Sequence, residues 1–295
     1  MKKKFIAWGH KLHSHTCSYI HCAYVKAFDH MGWETMHLDN EDDISNIDFN
    51  NSIFLTEGQV EQKMPIIKSC KYIVHNTTMP EKYSDLSKEN VLNLQVYSNG
   101  INSVGVSGEQ INEYTYFDEE SRTLYQPWAT DLLPEEITSD FNHIKNKKIV
   151  FCGTIWDGHH GNRDQIINFL TKSKSLGYEF IHHPPGHLSF DENMSVIQSN
   201  ELSPTIVGEW QKINHYIPCR IFKNISYGAL GLTNSEVVKR IFGDTIVYSE
   251  NESEIFEKYI AIEDSEIKRK FLESLEIVSN NHTYINRINQ ILKII

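Results

Sequence analysis

Nothing in the 295-residue sequence approaches the ~20 consecutive apolar residues needed to cross a bilayer, so no transmembrane helix is expected. A secretory leader is not expected either. The opening Met1-Lys2-Lys3-Lys4 is followed by apolar residues only from Phe5 to Trp8, before Gly9 and His10 interrupt them. The five cysteines (Cys17, Cys22, Cys70, Cys152 and Cys219) are scattered and never form C-x-x-C. That pattern argues against a disulfide framework or a zinc knuckle and fits a cytoplasmic chain with free thiols. The N-x-S/T sequons at Asn76 and Asn281 carry no meaning without secretion. Positive charge is in deficit, with 28 Lys and Arg against 39 Asp and Glu, a formal net charge of −11. Coating a nucleic-acid backbone requires a phosphate-neutralising surface, so no nucleic-acid partner is expected, although a local basic pocket is compatible with the balance. Internal repeats, low-complexity segments, a G-x-G-x-x-G fingerprint and a P-loop are all absent.

What is present is a globular composition, 40% hydrophobic and 23% charged. Domains commonly run to ~100–200 residues, so this length suggests two. Short apolar runs alternate with longer helical patterns, the mark of parallel α/β architecture. In the first half, Lys4 to Trp8, Trp33 to Leu38, Ser52 to Thr56, Tyr72 to His75 and Val91 to Val96 read as strands. Ser18 to His30 reads as a helix with Ile20, Tyr24, Ala27 and Phe28 on one face. From Leu124 to Pro134 a proline-bracketed stretch has neither period and reads as the connection between domains.

Beyond it the alternation restarts. Strands are expected at Lys148 to Cys152, Tyr178 to His182, Thr205 to Gly208 and Thr245 to Tyr248, and helices at Asn162 to Ser175, Asp191 to Asn200 and Pro218 to Tyr227. Three helical stretches close the chain, the last with an apolar stripe of Ile285, Ile288, Ile291, Leu292 and Ile295 that must pack on something. The expected fold is α/β with two lobes and a ligand-binding cleft outside the carboxyl ends of the strands. Its domains are expected at residues 1–133 and 134–276, followed by a C-terminal crossover helix at 277–295.

Three segments could carry chemistry. In Tyr216-Ile217-Pro218-Cys219-Arg220-Ile221-Phe222-Lys223-Asn224-Ile225-Ser226-Tyr227-Gly228, Pro218 marks a helix start and Gly228 its end. Ile221, Phe222 and Ile225 share one face, and Arg220, Lys223, Asn224 and Tyr227 the other. Cations in the first turns oppose the helix dipole, and a diphosphate bound there would account for them; a solvated basic face is the alternative. The second segment, the strand-to-loop passage from Phe151-Cys152-Gly153-Thr154 through Arg163, carries glycines after a strand that would let amides approach phosphate, or is a plain connection. The third is the first-loop cluster His10, His13 and His15, with His21 behind it. A histidine there suits a general base. A metal site is not expected, because H-x-x-H-x-H has no established ligand frame and no carboxylate lies close in sequence. His182-His183 ends a strand and points to the cleft edge.

Three ordered motifs resemble those of GT-B glycosyltransferases, specifically the spore-maturation CgeB-like branch with a glycosyl transferases group 1 C-terminal domain. Tyr125-Gln126-Pro127-Trp128-Ala129-Thr130-Asp131 resembles the family's linker. Pro218-Cys219-Arg220-Ile221-Phe222-Lys223 with Gly228, followed by Leu232-Thr233-Asn234, resembles its P-x-R-x-F-E donor helix, and His282-Thr283-Tyr284-Ile285-Asn286-Arg287 its H-T-Y-x-x-R helix start. The resemblance implies two Rossmann-like domains facing across a cleft, and metal-independent transfer of a sugar from a nucleotide-diphosphate sugar to a hydroxyl acceptor. That acceptor would be a glycan, a lipid-linked group or a small molecule, and no cofactor beyond the donor is implied.

The donor site would draw on Gly153, Thr154, Arg163, His183, Glu209, Trp210, Pro218, Arg220, Phe222, Lys223 and Asn224. Arg220 and Lys223 would stabilise the leaving group, and His15 or His13 would assist the acceptor. Lys223 stands where the family carries Glu; a cation cannot accept hydroxyl hydrogen bonds, so ribose recognition would pass to Asn224 or Glu209. A 2-epimerase-like enzyme of the same fold and a non-catalytic sugar-nucleotide-binding protein are the alternatives.

Overall fold

The computed structural model describes residues 3–11, 16–58, 60–75, 81–97, 109–112, 114–141, 144–186 and 188–295. The chain divides into two compact units, Met1–Pro127 together with Tyr284–Ile295, and Trp128–Thr283.

The first unit opens with β1 (Lys4–Trp8), α1 (Thr16–His30), β2 (Glu34–Leu38), β3 (Ser52–Glu57), β4 (Lys71–His75) and β5 (Val91–Gln95). It continues with β6 (Glu109–Asn112), β7 (Thr115–Asp118) and β8 (Thr123–Tyr125). These strands form one sheet in the order β2-β1-β3-β4-β5-β8-β7-β6. Strands β1 to β5 and β8 run parallel, and β6 and β7 extend the edge antiparallel. Both faces of β1 are covered, which is why it reads as an unbroken apolar run. Phe5 stacks on Phe28 of α1, while Ile6 and Trp8 join Phe54, Tyr72 and Val74 in a separate cluster. Ile20, Tyr24, Ala27 and Phe28 of α1 are all buried, as the helical period predicts.

One segment differs from the sequence reading. Overlapping the start of the stretch expected to be irregular, Thr123–Tyr125 forms β8 and pairs parallel with β5, Leu94 opposite Leu124. Three residues are too few to express a period, and a partner some 30 residues away leaves no local trace.

The second unit contains β9 (Lys148–Cys152), α2 (Arg163–Ser175), β10 (Glu179–His183), α3 (Phe190–Gln198), α4 (Glu209–Ile213) and α5 (Cys219–Ser226). It then runs through β11 (Leu232–Thr233), α6 (Glu236–Phe242), β12 (Val247–Tyr248), α7 (Glu252–Ile260) and α8 (Asp264–Asn281). β9 pairs parallel with β10, and β11 with β12. The segment expected as a strand from Thr205 contributes a single bridge, Thr205 to Thr233, and with the bridge of Leu202 just before it to Ile149 it links the two pairs. Ile149, Phe151, Phe169, Leu202, Leu232 and Phe256 lie in the core that results.

The last helix, α9 (Tyr284–Ile291), belongs to the first unit. Tyr284 packs edge-on against Tyr24 of α1, and Ile288 and Ile291 of the apolar stripe are fully buried. The buried Arg287 donates from Nε to the carbonyl of Pro127 at 2.7 Å. Among the described residues no helix is long and apolar enough to cross a membrane.

Candidate functional site

In the second unit, the site forms where β9 ends. Gly153 follows directly at φ 141°, a left-handed value that favours glycine. Its N–H donates to the carbonyl of His183 at 2.9 Å, and the His182 ring lies 2.7 Å from its carbonyl, so the ends of β9 and β10 are tied together. α5 begins after Pro218, whose extended backbone turns the chain into the helix. Arg220, in its first turn, donates from Nε to the carbonyl of Cys152 at 2.9 Å and lays its guanidinium 4.1 Å from the centre of the Phe151 ring. A Cβ on residue 153 would come within 2.4 Å of Arg220 Nη2, so Gly153 is needed for space as well as for backbone conformation.

Among the described residues no ion pair involves Arg220. Burial pushes its pKa below the ordinary value, opposed by Cys219, Tyr216 and Cys152. An arginine stays charged under such conditions, so the site presents a half-buried cation that no carboxylate among the described residues neutralises. Burial raises the thiols of Cys152 and Cys219, and Arg220 and Lys223 act against it on both. Positive potential from two residues of α5 therefore reaches the end of β9. Lys223 also sits 5.6 Å from the Tyr227 ring.

The polar face expected for α5 is not a solvated one. Asn224 is buried and donates to the carbonyl of Ser203 at 2.7 Å, with no hydrogen-bond partner for its Oδ1 among the described residues. Tyr227 is also buried and donates to Asp131. Phe222 is a core residue, stacked on His282 with ring centroids 4.4 Å apart, which leaves its side chain no surface for a ligand.

The remaining candidates are placed as follows. Thr154 accepts at its carbonyl from Asn162, which also holds the amide of Trp156 through Oδ1 and shapes the loop after β9. Arg163 opens α2 but pairs with Asp157 at 2.6 Å on the exposed surface. Glu209 is exposed and lies 3.5 Å from Lys212. Trp210 packs edge-on against His160, and Gly208 approaches Gly161 so closely that a Cβ would sit 1.9 Å from its carbonyl oxygen. The first turn of α4 thereby packs on the loop that carries Gly153 and Thr154. Cys152 and Phe151, which seat Arg220, lie in the second candidate segment but were not themselves expected to be site residues. Only pairing across the chain shows that the guanidinium needs that carbonyl and that ring.

A second cluster lies in the first unit at the carboxyl ends of β1, β2, β3 and β4. His13 and His15 fall outside the described residues. The carbonyl of Gly9 lies 2.9 Å from His21 Nδ1 and 3.0 Å from His37 Nε2. A carbonyl can only accept, so both nitrogens carry hydrogen. Burial, reinforced by His75, holds His21 well below its ordinary pKa and keeps it neutral. His21 Nε2 is therefore an acceptor, and His75 Nε2 donates to it at 2.9 Å. His10 Nε2 is in direct contact with Glu57 Oε2. This carboxylate was invisible in the sequence because it lies 47 residues away and meets His10 only through the pairing of β1 with β3.

No protein-family model matches the sequence, and no curated protein matches it either. The fold does have counterparts among solved structures. An alpha-glucosyltransferase solved with UDP-glucose and DNA containing an abasic site superposes with a TM-score of 0.66 at 10% identity, covering 99% of both chains. An alpha-glucosyltransferase with UDP alone gives 0.61 at 10% identity over 100% of both chains. A glycosyltransferase from Rickettsia africae ESF-5 gives 0.55 at 9% identity, over 99% of this chain and 97% of the other. The chain thus shares the α/β fold of glycosyltransferases along its whole length.

Proposed function

We propose that the chain is a GT-B glycosyltransferase that moves a sugar from a nucleotide-diphosphate sugar to a hydroxyl acceptor. The observation that carries this reading is Arg220: a half-buried guanidinium at the carboxyl end of β9, in the first turn of α5 and without a carboxylate partner among the described residues. A diphosphate is the ligand class that such a group and a helix N-terminus recognise together. The neighbours' UDP and UDP-glucose complexes support the same donor class. In transfer, the bond from the sugar to the diphosphate oxygen breaks and a bond to the acceptor oxygen forms. Arg220 and Lys223 offset the charge of the departing diphosphate in place of a metal ion, and a first-loop histidine, His15 or His13, takes the acceptor proton.

In this reading residues 1–133 hold the acceptor and residues 134–276 the donor, with 277–295 as the crossover segment. His183, Thr154, Glu209 and Trp210 would line the sugar and base positions around Gly153. The three ordered motifs favour the CgeB-like branch, and five scattered cysteines without a C-x-x-C pair favour a reducing, cytoplasmic setting. Calorimetry and turnover assays with UDP, GDP, dTDP and CMP sugars test it. Failure to bind or consume any of them rejects the reading, donor conversion without an acceptor favours an epimerase, and binding without turnover favours a binding protein.

The acceptor is a glycan, lipid-linked group or small molecule, since a net charge of −11 opposes binding to a polyanion. A second reading is favoured by one observation: several neighbours were solved with DNA, including DNA containing an HMU base. Transfer of labelled sugar to hydroxymethylated DNA but not to glycans would establish it.

A further inference from the structure

We propose that His10, Cys17 and Glu57 form a binding site for a single divalent transition ion of the zinc type. The inference lies within the first unit and does not depend on the glycosyltransferase reading. The three residues come from separate elements, just past β1, in the first turn of α1 and at the last position of β3. One imidazole nitrogen, one thiol sulfur and one carboxylate oxygen nevertheless lie within 4.8 Å of one another. Zinc bonds of about 2.0–2.3 Å place tetrahedral ligand atoms ~3.5 Å apart, so side-chain adjustments of about 1 Å would complete the geometry.

Two further features point to a built site. Cys17 and Glu57 are 3% and 8% exposed, and a buried carboxylate requires a cation or strong hydrogen bonds. His10 is held in the left-handed region at φ 52°, immediately after Gly9 at φ 83°. Left-handed backbone is uncommon for a residue other than glycine and persists only where the surroundings hold it. Here they do: the Gly9 carbonyl is engaged by both His21 and His37, and a Cβ on Gly9 would meet Val60 Cγ2 at 2.2 Å. The turn that aims His10 at Glu57 is therefore fixed from several sides.

The donor set selects the ion. Imidazole, thiolate and carboxylate suit Zn2+ or Co2+, whereas Mg2+ and Ca2+ require oxygen ligands. Binding breaks the S–H bond of Cys17, forms a sulfur–metal bond and releases the proton to solvent, with no change of oxidation state. Three protein ligands leave a coordination position for water or a hydroxyl. The rival is a His10–Glu57 hydrogen bond with Cys17 left as a thiol, and cobalt distinguishes the two.

The full chain, untagged, chelator-stripped and kept reduced, is titrated with Zn2+ in calorimetry and with Co2+ under anaerobic absorption spectroscopy. Expected are one ion per chain and a near-ultraviolet sulfur-to-cobalt charge-transfer band. Cys17→Ser should abolish the band while Cys22→Ser keeps it, and His10→Ala and Glu57→Gln should weaken Zn2+ binding at least ~10-fold, the loss typical of even an outer-shell partner. Circular dichroism checks folding, and if Cys17→Ser does not fold, the isosteric Glu57→Gln carries the test. No uptake at high micromolar metal overturns the proposal, as does a band unchanged in Cys17→Ser or an affinity unchanged in Glu57→Gln.

Discussion

Arg220 shows how much one side chain depends on its surroundings. Its charge was evident from the sequence, but its seat, between the Cys152 carbonyl and the Phe151 ring, exists only because α5 is folded against β9. Hydrogen bonds to charged groups contribute ~1.5–3 kcal/mol, so Arg220→Ala should weaken nucleotide binding by about 10- to 100-fold. Calorimetry with the preferred nucleotide checks this, and an unchanged affinity would remove the phosphate site. Gly153→Ala acts on the same seat from the other side. With φ at 141° and a Cβ meeting Arg220 Nη2 at 2.4 Å, it should cost ~1–3 kcal/mol and displace the guanidinium. A lower Tm together with weaker nucleotide binding is the expected pair of results.

At the scale of elements, α3 is a clear case of local encoding. Ser189 accepts from the Glu192 amide, and the Glu192 carboxylate accepts from the Ser189 amide, a reciprocal cap. Ser189→Ala should therefore lower stability by ~1 kcal/mol in urea unfolding. The junction of α4, α7 and β11 depends instead on distant partners. Burial raises the Glu252 carboxyl, but hydrogen bonds from Lys212 and Asn234 outweigh it and hold the pKa below the ordinary value of 4.5. The folded state then binds this proton less readily than the unfolded chain. The stabilisation is complete above the ordinary pKa and is lost as pH falls through the folded one. Glu252→Gln should accordingly be less stable at neutral pH and show a shallower loss of stability below about pH 4.5, where the unfolded carboxyl takes up its proton. Unfolding midpoints across that range would show a parallel slope if the network contributed nothing.

Elements with strong periods were legible in the sequence: β1, β4 and α1 appear where their apolar patterns place them. The short strands β6, β7 and β8 were not, because their stability comes from pairing rather than from their own composition. The same limit governed the site. Arg220 and Gly153 could be singled out by residue type, whereas the buried states of Phe222, Asn224 and Tyr227 depended on what packs over α5.

For the whole molecule, the returning C-terminal helix is the main long-range commitment. Residues 284–295 join a unit whose other residues end at Pro127. Fully burying Ile288 and Ile291 contributes ~1.5–3 kcal/mol each, a large share of the ~5–15 kcal/mol that stabilises a typical domain. A chain ending at Thr283 should therefore lose its first-unit transition in calorimetry, or become insoluble.

The sequence by itself determined the α/β class, the buried strands and the acidic balance, because periodicity and net charge are summed from residues without reference to their partners. It also marked α5, since Pro218, the two cations and Gly228 lie within one local segment. Only the tertiary structure decided that Arg220 is seated by Cys152 and Phe151, that His10 meets Glu57, and that α9 completes the first unit. Those outcomes join residues dozens to more than a hundred positions apart. Contacts of that kind are created by strand order and helix return, which no local pattern encodes.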